Sequence, residues 1–120
     1  MTLANSKAEG GVSVLSVNRE TTGGLMADKL SEQELAAAVA DSEWVAAGAT
    51  LVLDREFADF ASAWAFADQV ASLAEAADHH PDILAHGWNK VRVTLSTHSA
   101  GGVTQLDVDL SRAIDALHGQ

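Results

Sequence analysis

The chain contains a single proline, Pro81, and the stretch it terminates constrains the fold more than any other feature. Residues 59–78 hold neither proline nor glycine, and their apolar side chains recur at three- and four-residue spacing, which predicts one long helix. The residue before a proline is pushed out of the helical region, so this helix ends ahead of Pro81 and delivers His79 and His80 to its exposed C-terminal end. Its predicted buried stripe is Phe60, Trp64 and Ala71, with Phe66, Val70, Leu73 and Ala77 on the adjoining rows.

Local signals place the other elements around this helix. Ser31 with Glu34 three residues on forms a capping-box pattern, with Leu30 and Leu35 at the staple positions, and predicts a helix ending near residue 41 or 42. Residues 44–47 and 50–57 read as two strands joined near Gly48; Leu51, Leu53, Arg55 and Phe57 face one way, Val52, Asp54 and Glu56 the other. A second strand pair, 83–88 and 90–97, turns near Gly87-Trp88-Asn89, with Val91, Val93, Leu95 and Thr97 on one face and Arg92, Thr94 and Ser96 on the other. A last helix starts at Thr104, has Asp107 at its third position and Val103 and Val108 as staple, and carries Leu106, Leu110, Ala113, Ile114 and Leu117 as its stripe. The order helix, two strands, helix, two strands, helix predicts an α+β two-layer domain: a four-stranded antiparallel sheet with helices packed on one face. The first 25 or so residues mix glycine, serine and scattered valines without a period, so residues 1–28 are expected to be a flexible extension and 29–120 the folded domain, with Met26 a natural start for it.

Charge and composition narrow the functions open to such a domain. Seventeen Asp and Glu against seven Lys and Arg give a net charge of -10, and between Lys29 and Lys90 Arg55 stands alone against eleven carboxylates. That balance repels phosphate backbones and anionic membranes, so neither nucleic acid nor membrane is an expected partner. The longest uncharged stretch, 93–106, is too short and polar to span a bilayer, and the N-terminus lacks a secretory signal, so a cytoplasmic place is expected. The absence of cysteine excludes disulfides and thiolate chemistry. Of the apolar residues, 23 are alanine, which predicts a small core and association between subunits as a supplement.

Three of the five histidines fall at element ends, where function concentrates: His79 and His80 at a helix C-terminus, His98 at a strand end. Imidazole titrates near neutrality, so two of them across a substrate can give and take a proton without a cofactor. The helix C-terminus and Glu75, one turn before His79, would favour the imidazolium form and suit His79 to a general acid. Lys90 and Arg92 are expected to gather at the same site. Spacing alone leaves three readings open: an ordinary helix end, an acid/base site, or a zinc site for which no third ligand is evident. Asp107 reads first as a capping carboxylate, and His86 and His118 as surface residues.

The run Glu75, three residues, His79-His80-Pro81, six residues, Trp88, nine residues, His98, eight residues and Asp107 resembles the signature of the pterin-4a-carbinolamine dehydratase family. The surroundings are similar too: Asp59-Phe60, residues 64–74, Asn89-Lys90-Val91, and Thr94 to His98 leading to Gly101-Gly102, so that the likeness spans about residues 30–117. The resemblance implies a hydro-lyase that dehydrates 4a-hydroxytetrahydropterin to quinonoid dihydropterin and water, recycling pterin for an aromatic amino acid hydroxylase. It implies that His79 and His98 are the acid/base pair, that His80 holds the pterin, and that Glu75, Pro81, Trp88 and Asp107 support or border the site. It implies no metal and no organic cofactor, and a homodimer or homotetramer. The vertebrate branch's role as dimerisation cofactor for a homeodomain transcription factor has no support in this sequence. The alternative is a non-catalytic pterin-binding or scaffold protein on the same fold, because fold and site can outlast activity.

Overall fold

The structure, a computed structural model, describes residues 28–117; the expected N-terminal extension and His118 lie outside the described residues. In chain order the elements are α1 (Glu32–Val39), β1 (Val45–Ala47), β2 (Thr50–Glu56), α2 (Phe60–Ala77), β3 (Asp82–His86), β4 (Lys90–Leu95), a 3-10 turn (His98–Ala100) and α3 (Gln105–Asp115). The strands form one antiparallel sheet in the order β1-β2-β4-β3, so the two hairpins meet along β2 and β4 at the centre, with Leu53 opposite Val93. The predicted α+β architecture is the one observed.

The sheet is covered on one face only. Leu51, Leu53, Val91, Val93 and Leu95 are fully buried under helices that contribute Leu35, Phe66, Val70, Val108 and Ile114. Each such side chain removed from water contributes on the order of 1.5–3 kcal/mol. The alternation predicted for β2 and β4 is obeyed, even at Arg55: its guanidinium lies 5.1 Å from the Phe66 ring centre and pairs at 3.0 Å with Glu43. On the open face Arg92 grips Asp54 through two bonds, Nε to Oδ1 at 2.7 Å and Nη2 to Oδ2 at 2.9 Å. This hydrogen bonding holds the Asp54 carboxyl below its ordinary pKa and lifts that of Arg92, against the opposing effect of burial on each.

The helix starts follow the sequence signals. Ser31 and Glu34 exchange bonds of 3.0 and 2.8 Å in a capping box, and α1 stops at Val39, short of the end expected near residue 41 or 42. Asp59 caps α2 by accepting from the Ser62 N–H at 2.7 Å, which lowers its carboxyl pKa. The stripe on α2 is rotated from the predicted one. Ala63, Phe66, Ala67, Val70 and Ala74 are buried, whereas Phe60 and Trp64 are each 58% exposed and stack on one another with centroids 6.3 Å apart. Phe66 lies in the core as expected, but Phe60 and Trp64 do not, because the face of the helix turned to the sheet is the one carrying Ala63, Phe66, Ala67, Val70 and Ala74. Leu106 of α3 is likewise 46% exposed. Among the described residues only Ala63, Ala67 and Ala74 join the core, so most of the chain's alanine is surface. None of the described helices is long and apolar enough to cross a membrane.

Candidate active site

The end of α2 is set by Asp78 rather than by Pro81. Asp78 takes a left-handed conformation, φ 51°, and the N–H of His79 then bonds back to the Ala74 carbonyl at 3.1 Å. This reversal sends the two histidines in different directions. His79 turns inward and its side chain is only 13% exposed, while His80 stays outside at 58%. The expected pairing of Glu75 with His79 is therefore corrected: Glu75 Oε1 lies 2.8 Å from Nε2 of His80, five residues on, because the left-handed residue breaks the helical spacing that would have aligned it with His79.

His79 meets α3 instead. Its Nε2 is 2.5 Å from Oδ1 of Asp107, a residue with no exposed surface. The other carboxylate oxygen, Oδ2, accepts from the Thr104 N–H at 2.9 Å and from the Thr97 hydroxyl at 2.7 Å. Asp107 is thus both the capping residue that its position predicts and a site residue. A buried carboxylate without partners would cost several kcal/mol, and here three donors converge on it. Since the N–H and the hydroxyl already donate to it, the imidazole Nε2 is assigned as the third donor and Nδ1 is the ring nitrogen left free of Asp107.

Thr97 joins this buried group to the third histidine. It pairs with Gly102 across a closed loop, its N–H donating to the Gly102 carbonyl at 2.9 Å, and His98 is the next residue, exposed at the start of the 3-10 turn. Gly101 closes that turn at φ 72°, a conformation that glycine adopts without strain. Asp82 pairs with Thr94, so the start of β3, just after Pro81, lies beside the end of β4, just before His98. Glu75, His79, His80, Pro81, His98 and Asp107 accordingly come to one end of the sheet. A groove of about 380 Å³ between α2 and α3, lined by Leu73, Ala77, Leu106 and Leu110, opens beside His79.

Trp88 does not come to this end. It forms the opposite turn of the β3–β4 hairpin, left-handed at φ 59° and 63% exposed, and the five residues of β3 separate it from Pro81 by roughly 17 Å at about 3.3 Å each. Lys90 and Arg92 are also elsewhere, one reaching Asn89 at 3.3 Å near that turn and the other bound to Asp54, because strand alternation puts both on the open face. Sequence reasoning missed Thr97 and Thr104 as site residues. The available signal was a threonine on the core-facing side of a strand directly before a histidine, with a second at a helix cap.

The fold, with His79 held on a buried carboxylate and His80 and His98 at the same end of the sheet, defines a class of small α+β proteins. A sequence model of the family described as pterin 4 alpha carbinolamine dehydratase matches residues 28–117. A relative from Cyanothece sp. that carries a provisional pterin-4-alpha-carbinolamine dehydratase name is 43% identical over 93 residues, 77% of this chain and 95% of its own. One from Nocardia farcinica with the same provisional name is 45% identical over 89 residues, 73% of this chain and 93% of its own. Among solved structures, a transcriptional coactivator/pterin dehydratase from Brucella melitensis superposes with a TM-score of 0.71 at 37% identity, covering 77% of this chain and all of that one. A pterin dehydratase-like protein identified as a RuBisCO assembly factor in the alpha-carboxysome gives a TM-score of 0.55 at 26% identity, over 67% of this chain and 94% of that one. The chain belongs to the pterin-4a-carbinolamine dehydratase family.

Proposed function

We propose that the protein dehydrates 4a-hydroxytetrahydropterin to quinonoid dihydropterin and water, with His79 and His98 as the proton-transfer pair. In this reaction the C4a–O bond breaks as its hydroxyl takes a proton and leaves as water. The adjacent ring nitrogen loses its proton and forms the double bond to C4a. An acid and a base set on a small rigid ring are what the step needs. The observation that supports the reading is the His79–Asp107–Thr97 chain, which ends at the residue directly before His98. His80, exposed and oriented by Glu75, is suited to holding the pterin.

The test is the decay of enzymatically generated 4a-carbinolamine. The full chain should accelerate it, and His98→Ala should remove most of that acceleration; a rate equal to buffer would sink the proposal. Recycling pterin for an aromatic amino acid hydroxylase in the cytoplasm, and assembly as a homodimer or homotetramer, belong to the same proposal. The exposed Phe60–Trp64 pair supports association, and light scattering reads it.

A second reading, a non-catalytic pterin-binding or scaffold protein, is favoured by the likeness to the RuBisCO assembly factor. It predicts pterin binding without turnover. A gene neighbourhood rich in carboxysome or molybdopterin assembly would favour it, and a neighbouring hydroxylase would favour the enzyme.

A further inference from the structure

The buried hydroxyl of Thr97 stands where the two halves of the proposed acid/base site join. It donates to Asp107 Oδ2 at 2.7 Å and lies 2.8 Å from the hydroxyl of Thr104. Thr97 has one hydroxyl proton, and that proton goes to the carboxylate. The bond to Thr104 must therefore run from the Thr104 hydroxyl to Thr97. Thr104 in turn accepts from the N–H of Leu106 at 3.2 Å. Every hydrogen bond in this row points the same way, from the first turn of α3 through Thr104 and Thr97 to Asp107, which His79 meets from the other side. Thr97 is 8% exposed, Thr104 and Asp107 not at all, so water does not replace a missing link. The backbone of Thr97 is held as firmly as its side chain: its N–H bonds the Gly102 carbonyl at 2.9 Å, and its carbonyl accepts from Ala100 at 3.0 Å in the turn that presents His98.

We propose that Thr97 is a positioning residue, its hydroxyl orienting the imidazole of His79 through Asp107 while its backbone anchors the turn that carries His98, so that one buried residue registers both histidines. Its place in catalysis rests on the dehydratase reading; its effect on the His79 ring does not. With the hydroxyl removed, Asp107 Oδ2 keeps only the Thr104 N–H, and the carboxylate is free to rotate against His79. Disordering a hydrogen-bonded charged group of this kind should lower the rate about 10-fold.

The test compares Thr97→Val, Thr97→Ser and Ser111→Ala in the full chain. Ser111 is a second buried hydroxyl, bonded to the Val108 carbonyl at 2.7 Å and outside the row, so its loss measures destabilisation alone. Ring nitrogen shifts of 15N-histidine-labelled protein report the His79 tautomer, and carbinolamine decay reports the rate. Thr97→Val should change the His79 signals from one fixed tautomer to a mixture and slow decay about 10-fold. Thr97→Ser should restore both, and Ser111→Ala should alter neither. Unchanged His79 signals in Thr97→Val, or an equal change in Ser111→Ala, would overturn the proposal. If Thr97→Val does not fold, Thr97→Cys, which keeps only a weak donor, takes its place with the same expected direction. If the wild-type chain fails to accelerate decay, the dehydratase reading falls, and the ring signals alone decide the role of Thr97.

Discussion

The two ends of the β3–β4 hairpin use polar residues in opposite ways. At the end next to α2, Thr97, Thr104 and Asp107 are buried and mutually satisfied, and His79 is drawn into their network. At the other end Trp88 and His86 are exposed, and the buried polar side chain is Asn89, whose amide donates to the Phe57 carbonyl at 2.9 Å while that residue's N–H returns a bond to the Asn89 carbonyl at 2.8 Å. The first end orders ionisable groups, and the second only closes a turn. A row of signature residues in the sequence therefore need not meet at one place in a single chain, and the buried network shows which of them are in contact.

Substitutions at the two ends separate these roles. The largest expected effect is on stability: Asp107→Ala should cost about 3–5 kcal/mol, because it strands His79, the Thr97 hydroxyl and the Thr104 N–H, whereas Asn89→Ala should cost about 1–2 kcal/mol. Urea denaturation measures both, and equal losses would break the contrast. Next, His79→Ala and His98→Ala should each reduce the carbinolamine dehydration rate by on the order of 10²-fold or more, while Trp88→Ala should stay within about threefold of wild type. A loss at Trp88 as large as at His98 would show instead that a neighbouring subunit brings its turn to the site.

Smaller effects test the backbone at each end. Asp78 and Trp88 are the two described non-glycine residues with positive φ, so glycine should stabilise at both, by about 1 kcal/mol at Trp88 and about 0.5 kcal/mol at Asp78, where the short acidic side chain already tolerates the conformation. The smallest effect is expected midway, on the open face. The Arg92 hydrogen bond lowers the Asp54 pKa in the folded state, so this pair stabilises the protein above the ordinary carboxylate pKa and loses that contribution as pH falls through the depressed one. Asp54→Asn should therefore cost about 0.5 kcal/mol or less near neutral pH, shrink with added salt, and converge with wild type only as pH falls below the depressed Asp54 pKa. A difference that grew on acidification would contradict that sign.

The fold was legible because its signals are local. Ser31 with Glu34, Thr104 with Asp107, and the alternation from Leu51 to Phe57 and from Val91 to Leu95 each depend on neighbours a few residues away, and each is found where the pattern places it. The aromatics Phe60 and Trp64 misled, since hydrophobicity does not say which flank of a helix meets a sheet, and here the flank with Phe66 and Val70 does. The spacing singled out His79, His80, His98 and Asp107, which come to one end of the sheet, but it paired Glu75 with the wrong histidine. Glu75 and His79 lie one helical turn apart in sequence, and a single left-handed residue at position 78 gives Glu75 to His80 instead.

By itself, then, the sequence determined the elements, their order, the apolar face of each strand and the residues that carry the family's signature, all consequences of periodicity and capping within short windows. Only the tertiary structure decided that His79 meets the buried Asp107, that Thr97 and Thr104 complete its network, and that Trp88, Lys90 and Arg92 stand apart from it. Those outcomes depend on how a helix end, a strand end and a helix start meet in space, and the burial that makes a carboxylate gather its donors exists only once they have met.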